Sequence, residues 1–322
     1  MSIIQSAHND DEELEMRKVF CDTLMELAEK DDKVLVVDAD LMTAMGTKPF
    51  AARYPERTVN CGVQEANMMG VAAGLSVEGF KPFVHSFSSF SVRRALDQIW
   101  ISCAYAKTNV KIIGSDPGIT AALNGGTHTS FEDLGIMRMI PGSVVIEPTD
   151  SVVLADLLKQ SNDVYGIFYF RLLRRNAVKI YEKGSRFEIG KSVKLREGKD
   201  ITIISAGICV GEALRAHDIL KDMGISASVL DMIFYKPIDR EAIISEAKET
   251  GLIVTCENHN YLNGIGSAVA EIIAEEAPAK LYRMGVREEF GEVGPVSFLR
   301  ERFGLTSGHI VDTARKAFAR KQ

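Results

Sequence analysis

The seven residues VLVVDAD at positions 34–40 decide the architecture, because their first four side chains are all apolar and leave no polar face. A half-buried strand alternates apolar and polar residues. An unbroken apolar run belongs in a sheet covered on both sides. The same texture returns at Phe83–Phe87, Val110–Ser115, Ser143–Pro148 and Tyr165–Leu172. A second set follows at Ile201–Gly207, Ser226–Met232, Leu252–Asn258 (LIVTCEN) and Lys280–Val286. Between these runs lie helix candidates at Met16–Glu29, Asn67–Ser76, Ser91–Ala106, Val152–Gln160, Val210–Asp222, Arg240–Glu249 and Ser267–Glu276. Regular alternation of strand and helix predicts an α/β protein with mainly parallel sheets, each layered between helices.

The alternation breaks once, at Lys179–Asp200, a polar stretch with turn signals near Gly184, Gly190 and Gly198. This divides the chain into residues 1–180, a linker at 181–199, and residues 200–322. A length of 322 residues suits two domains. Charged residues make up 25% and apolar ones 46%, which excludes a disordered or collagen-like chain. The 38 Lys and Arg against 44 Asp and Glu give a net charge of -6, the wrong sign for sequence-independent nucleic-acid binding. The five cysteines form no C-x-x-C pair, so neither a zinc site nor a disulfide framework is indicated. No stretch reaches 18 apolar residues and the acidic N-terminus lacks a secretory pattern, so the expectation is a cytoplasmic protein with no membrane partner.

In parallel α/β sheets ligands gather outside the carboxyl ends of the strands. Each candidate there has a plain structural reading and a functional one. Glu65 opens a helix, where a carboxylate is stabilised by the dipole whatever else it does. Phe87 and Phe90 are either core aromatics or the walls of a pocket. His128, in the glycine-rich loop Gly125-Gly-Thr-His, is a bystander or an acid–base group, and the glycines would let a backbone approach a ligand. Arg171, Arg174 and Arg175 either form salt bridges or capture an anion such as a phosphate. The turn Asn263-Gly-Ile-Gly-Ser267 lacks the third glycine of a dinucleotide fingerprint and reads as close strand–helix packing. No P-loop, H-E-x-x-H or G-x-S-x-G motif occurs.

Taken in order, the motifs resemble the transketolase family. GVQEANMMGVAAGLSVEGFKPFVHSFSSF at 62–90 and GGTHTSFEDLGIMRMIPGSVVIEPTD at 125–150 are similar to its pyrimidine-binding domain. The linker, YKPID at 235–239 and VTCENHNYLNGIGSAVAE at 254–271 resemble its C-terminal domain. The resemblance runs from about residue 15 to 320. It implies thiamine diphosphate (ThDP) as cofactor with Mg²⁺, and transfer of a two-carbon ketol unit between sugar phosphates. It implies that Glu65 hydrogen-bonds N1′ of the aminopyrimidine, that Phe90 stacks on that ring with Phe87 beside it, and that Asp40 of DADLM lies near the pyrimidine. His128 would bond sugar hydroxyls and assist proton transfer, and Arg174 of LRRN would grip the substrate phosphate, with Arg171 one strand position of ambiguity away.

The G-D-G motif that holds Mg²⁺ and the pyrophosphate in that family is absent. The resemblance is therefore to the C-terminal half of a split enzyme, needing an N-terminal-half partner, in an expected α2β2 assembly. Two departures touch the substrate end. The family's second loop histidine falls near Ser115-Asp116, and Thr43-Ala44 replaces a serine, so a modified sugar phosphate is expected. The rivals are a 1-deoxyxylulose-5-phosphate synthase-like enzyme, the β-subunit of a 2-oxo acid dehydrogenase, and a non-catalytic scaffold. The arginine cluster favours a phosphorylated sugar over a 2-oxo acid.

Overall fold

The computed structural model describes residues 2–321 and contains two sheets. The first is built from β1 (Val34–Asp38), β2 (Thr58–Asn60), β3 (Lys81–Phe87), β4 (Lys111–Ser115), β5 (Val144–Ile146) and β6 (Phe168–Leu172). These six are parallel, in the order β5-β6-β4-β3-β1-β2. The second contains β7 (Val193–Arg196), β8 (Ile201–Ser205), β9 (Ala227–Asp231), β11 (Leu252–Asn260) and β12 (Lys280–Val286), in the order β12-β11-β8-β9-β7. Only β7 runs antiparallel there. Every residue of β1, β4, β6, β8 and β9 is buried, as unbroken apolar runs require. The expected fold class, two layered α/β units with mainly parallel sheets, is therefore what the chain adopts.

Three details depart from the pattern. β10 (Phe234–Lys236) lies beyond residue 200 yet pairs antiparallel with β5, closing the edge of the first sheet. The polar stretch after Lys179 supplies β7 to the second sheet, and residues 2, 5 and 11 bridge to 186, 181 and 178. The expected long helix at Ser91–Ala106 is instead a turn at Ser88–Ser91, a turn at Leu96–Gln98 and a π-helical segment at Ile99–Tyr105. Val92 and Ala95 are buried between these segments, and Arg94 reaches back to Glu65.

The carboxyl ends of the first sheet's strands lie in a row, and the loops leaving β1, β3, β4 and β6 bring together the residues of interest. Among the described residues no helix is long and apolar enough to cross a membrane.

Candidate functional site

Glu65 begins the helix Glu65–Val77, with residues 61–64 between it and the end of β2. Its side chain is 1% exposed, although the first turn of a helix is ordinarily a place for a solvated carboxylate. Ser86 Oγ on β3 donates to Oε1 at 3.3 Å, and Arg94 Nη1 donates to Oε2 at 2.8 Å. The Arg94 guanidinium simultaneously lies over the Phe90 ring, 4.0 Å from its centroid. A planar N–C–N group thus fits between the Glu65 carboxylate and the face of Phe90.

Phe87 ends β3 and Phe90 sits in the turn that follows, so the three-residue spacing sets their rings edge to face at 5.9 Å. His128 completes the cluster, 5.1 Å from Phe87 and 5.0 Å from Phe90. Ser89 Oγ bonds the carbonyl of His128 and Thr127 Oγ1 meets its Nδ1 at 3.0 Å, which fixes the ring against the two phenylalanines. The glycines before it serve a different purpose from the one expected. A side chain at Gly125 would strike Val293, and one at Gly126 would strike the carbonyl of Gly291. That space belongs to a segment from the second half of the chain, not to a ligand.

Arg174 follows β6 and turns toward the same cluster, 5.8 Å from the Phe87 centroid. Its Nε donates to the Asp116 carboxylate at 3.1 Å, and Nη1 approaches the carbonyl of Ala44 at 3.5 Å. Arg17 Nη1 donates to that same carbonyl at 2.9 Å. Glu15 joins Arg17 to Arg175. Asp40 is exposed at the carboxyl end of β1, in the left-handed region at φ 65°, with its amide bonded to Asn60 Oδ1.

Arg171 has to be corrected. It is fully buried in β6, donating from Nε to Asp133, from Nη1 to Glu147 and from Nη2 to the carbonyl of Asn258, each at 2.8 Å. Strand alternation turns it into the junction between the two halves, where Nε, Nη1 and Nη2 are each already bonded within the protein. The turn at 263–267 is closed as well: Glu257 accepts from the amides of Ile265 and Gly266, filling the helix N-terminus with the protein's own carboxylate. Burial pushes that carboxyl up to about 7. His85, also buried, has its Nδ1 3.1 Å from Asp38 Oδ2, out of hydrogen-bond alignment, and burial lowers its pKa to about 3.

Arg94 and Asp116 are the two site residues that the motifs did not single out for a role. An arginine four residues past Phe90 carries no helical signal once the helix breaks. Asp116 was visible only as a position where the family's pattern is lost. Among the described residues no group of His, Cys, Asp and Glu side chains forms a metal cluster.

The family model for the transketolase pyrimidine-binding domain matches residues 12–179, and that for the transketolase C-terminal domain matches residues 190–310. A protein of Clostridium sp. named 6-deoxy-6-sulfo-D-fructose transketolase subunit SqwH is 50% identical over 96% of both chains. A putative transketolase C-terminal section of Methanocaldococcus jannaschii is 44% identical, over 90% of this chain and 92% of its own. A solved structure described as a split-gene transketolase, inactive β4 tetramer, superposes with a TM-score of 0.88 at 38% identity. The match covers 98% of this chain and all of that one.

Proposed function

The chain belongs to the transketolase family, and on that premise we propose that it is the C-terminal-half subunit of a split, ThDP-dependent transketolase. It would complete its active site with a separate N-terminal-half chain. The observation that carries this reading is the pairing of a buried carboxylate, Glu65, with the face of Phe90, across a gap where a planar nitrogen-bearing group, the Arg94 guanidinium, lies. An aminopyrimidine has that shape and that donor pattern. ThDP, when bound, supplies an electron sink that lets a carbon–carbon bond beside a carbonyl be broken and remade.

The chain's own residues would act around it. Glu65 would hold a proton shared with the ring nitrogen N1′, and Phe90 would stack on the ring with Phe87 at its edge. His128 would bond sugar hydroxyls and carry a proton to or from them, fixed in place by Thr127 and Ser89. Arg174 would bind the sugar's distal anionic group, and Asp40 would line the rim. Mg²⁺ ligands would come from the partner, consistent with the lack of a G-D-G motif. An α2β2 assembly is the arrangement this sharing suggests, with sugars bearing a distal anion as substrates.

The test is Glu65→Gln in the complex of both chains. Exchange of the C2 proton of bound ThDP, followed by quenched NMR, is expected to fall at least 100-fold while cofactor still binds. Exchange equal to that of the unaltered complex would reduce Glu65 to a helix-capping residue and remove the proposal's main support.

A further inference from the structure

Arg175 does not share the surroundings of Arg174. It bonds Glu15 and lines a cavity of about 350 Å³ between the two halves of the chain, whose walls include none of Glu65, Phe87, Phe90, His128 and Arg174. The walls come from stretches far apart in sequence. The segment after β6 supplies one, the helix Cys209–Asp222 a second and the helix Val296–Arg302 a third. The floor is apolar, with Ala177 and Ile180 buried and Val178 and Ile208 half-buried.

Three guanidiniums line the same space, those of Arg175, Arg215 and Arg300. The carboxylates that bond them, Glu15 for the first and Glu212 for the other two, are not among the lining residues. Asp11 alone brings a negative charge to the wall, and it is exposed. Glu212 is held in turn by the amide of Ser307, which fixes the two arginines it bonds. Arg300 reaches Glu212 through Nη1, while its Nε is buried and has no partner among the described residues. A buried donor without an acceptor is uncommon in folded proteins and marks a place where an acceptor belongs.

An apolar floor beside convergent cations suits an amphipathic anion, and the volume lies at the lower end of the range for small-molecule sites. Guanidinium forks match the several oxygens and double charge of a phosphate monoester. We propose that this cavity is a second ligand site, which takes the phosphate monoester of a compact apolar alcohol. The apolar body lies on the floor and the phosphate among the three arginines. This assignment does not depend on the ketol-transfer reading.

The experiment is a calorimetric titration with phenyl phosphate, on the full chain and on the two-chain complex. One saturable site per chain is expected in both, with a rise in melting temperature because the ligand touches both halves. Inorganic phosphate and phenol should each bind at least about tenfold more weakly, since each lacks one set of contacts. Arg300→Met and Arg215→Met should each weaken phenyl phosphate about tenfold, the scale of one lost charge-assisted bond. Ser297→Trp, at an exposed position on the wall, should block the site without lowering the melting temperature of the unliganded chain. Arg174→Ala should leave the affinity unchanged. Absence of saturable binding, binding that survives Ser297→Trp, or binding that Arg174→Ala removes would overturn the proposal. So would equal affinity for inorganic phosphate or phenol, or loss of the site when the partner chain is added.

Discussion

Arg171 and Arg174 stand three residues apart at one strand end and have opposite environments. The first lies in β6 between Asp133 and Glu147, its charge desolvated and its Nε, Nη1 and Nη2 each bonded within the protein. The second has passed the strand's end, keeps 14% of its side chain exposed, and shares its charge with one aspartate. Removing one member of a buried ionic group strands the others, at a cost of roughly 3–5 kcal/mol. Arg171→Met should therefore lower stability by about that much in a urea titration. Arg174→Ala should raise the KM of the anionic sugar roughly 10- to 150-fold with a smaller change in kcat, because a distal anion is held alike in ground and transition states. A large KM effect from Arg171 with normal stability would reverse the two assignments. The run RLLRR identified a cluster of guanidiniums, but which of them faces a ligand depends on where β6 stops.

The ends of the helices and strands in this chain differ in what fills them. Glu257 closes the helix Ile265–Glu275 from within, so the glycine turn that looks open in sequence holds no vacancy. The end of β9 carries Asp231, which accepts from Thr149 and Tyr181 while its Oδ1 finds no partner. Burial pushes this carboxyl up to about 7 from the ordinary 3.8. A folded-state pKa above the unfolded value means that its stabilising contribution is full below about pH 4 and is lost as pH rises through 7. Asp231→Asn should therefore flatten the fall in stability between pH 4 and 7.5, read from melting temperatures across that range. An unchanged slope would mean that Asp231 ionises without cost in the folded chain.

At the level of the whole molecule the two sheets are tied through the junction rather than through a hinge. β10 completes the first sheet from the far side of the linker, and Asn258 bonds Pro117 and Ile119 across the gap. The cofactor-binding half of the proposed site is thus rigidly presented toward whatever covers it. Trp100, Ile101 and Tyr105, on the π-helical segment, remain exposed on this chain. The chain alone should show no ketol transfer. Activity should appear on mixing with a separate chain of roughly 280 residues carrying G-D-G, with co-elution of the two in size-exclusion chromatography. Robust turnover by the isolated chain would end the split-subunit reading.

The apolar runs from VLVVDAD to LIVTCEN determined the layered parallel architecture by themselves, because a strand whose side chains leave no polar face can be buried in few other ways. The ordered motifs around Glu65, Phe87, Phe90 and His128 were legible for a related reason: each lies at a strand's carboxyl end or in the loop or helix start that follows one, the side of a parallel sheet where ligands gather. What only the tertiary structure decided were the pairings between distant segments. Arg94 on Glu65, Asp116 on Arg174, Glu257 on its own helix and Val293 against Gly125 are contacts over sequence separations from 8 to 168 residues. Local pattern encodes which residues turn inward. Which charge meets which depends on how the two sheets dock, and that is settled only when the whole core closes.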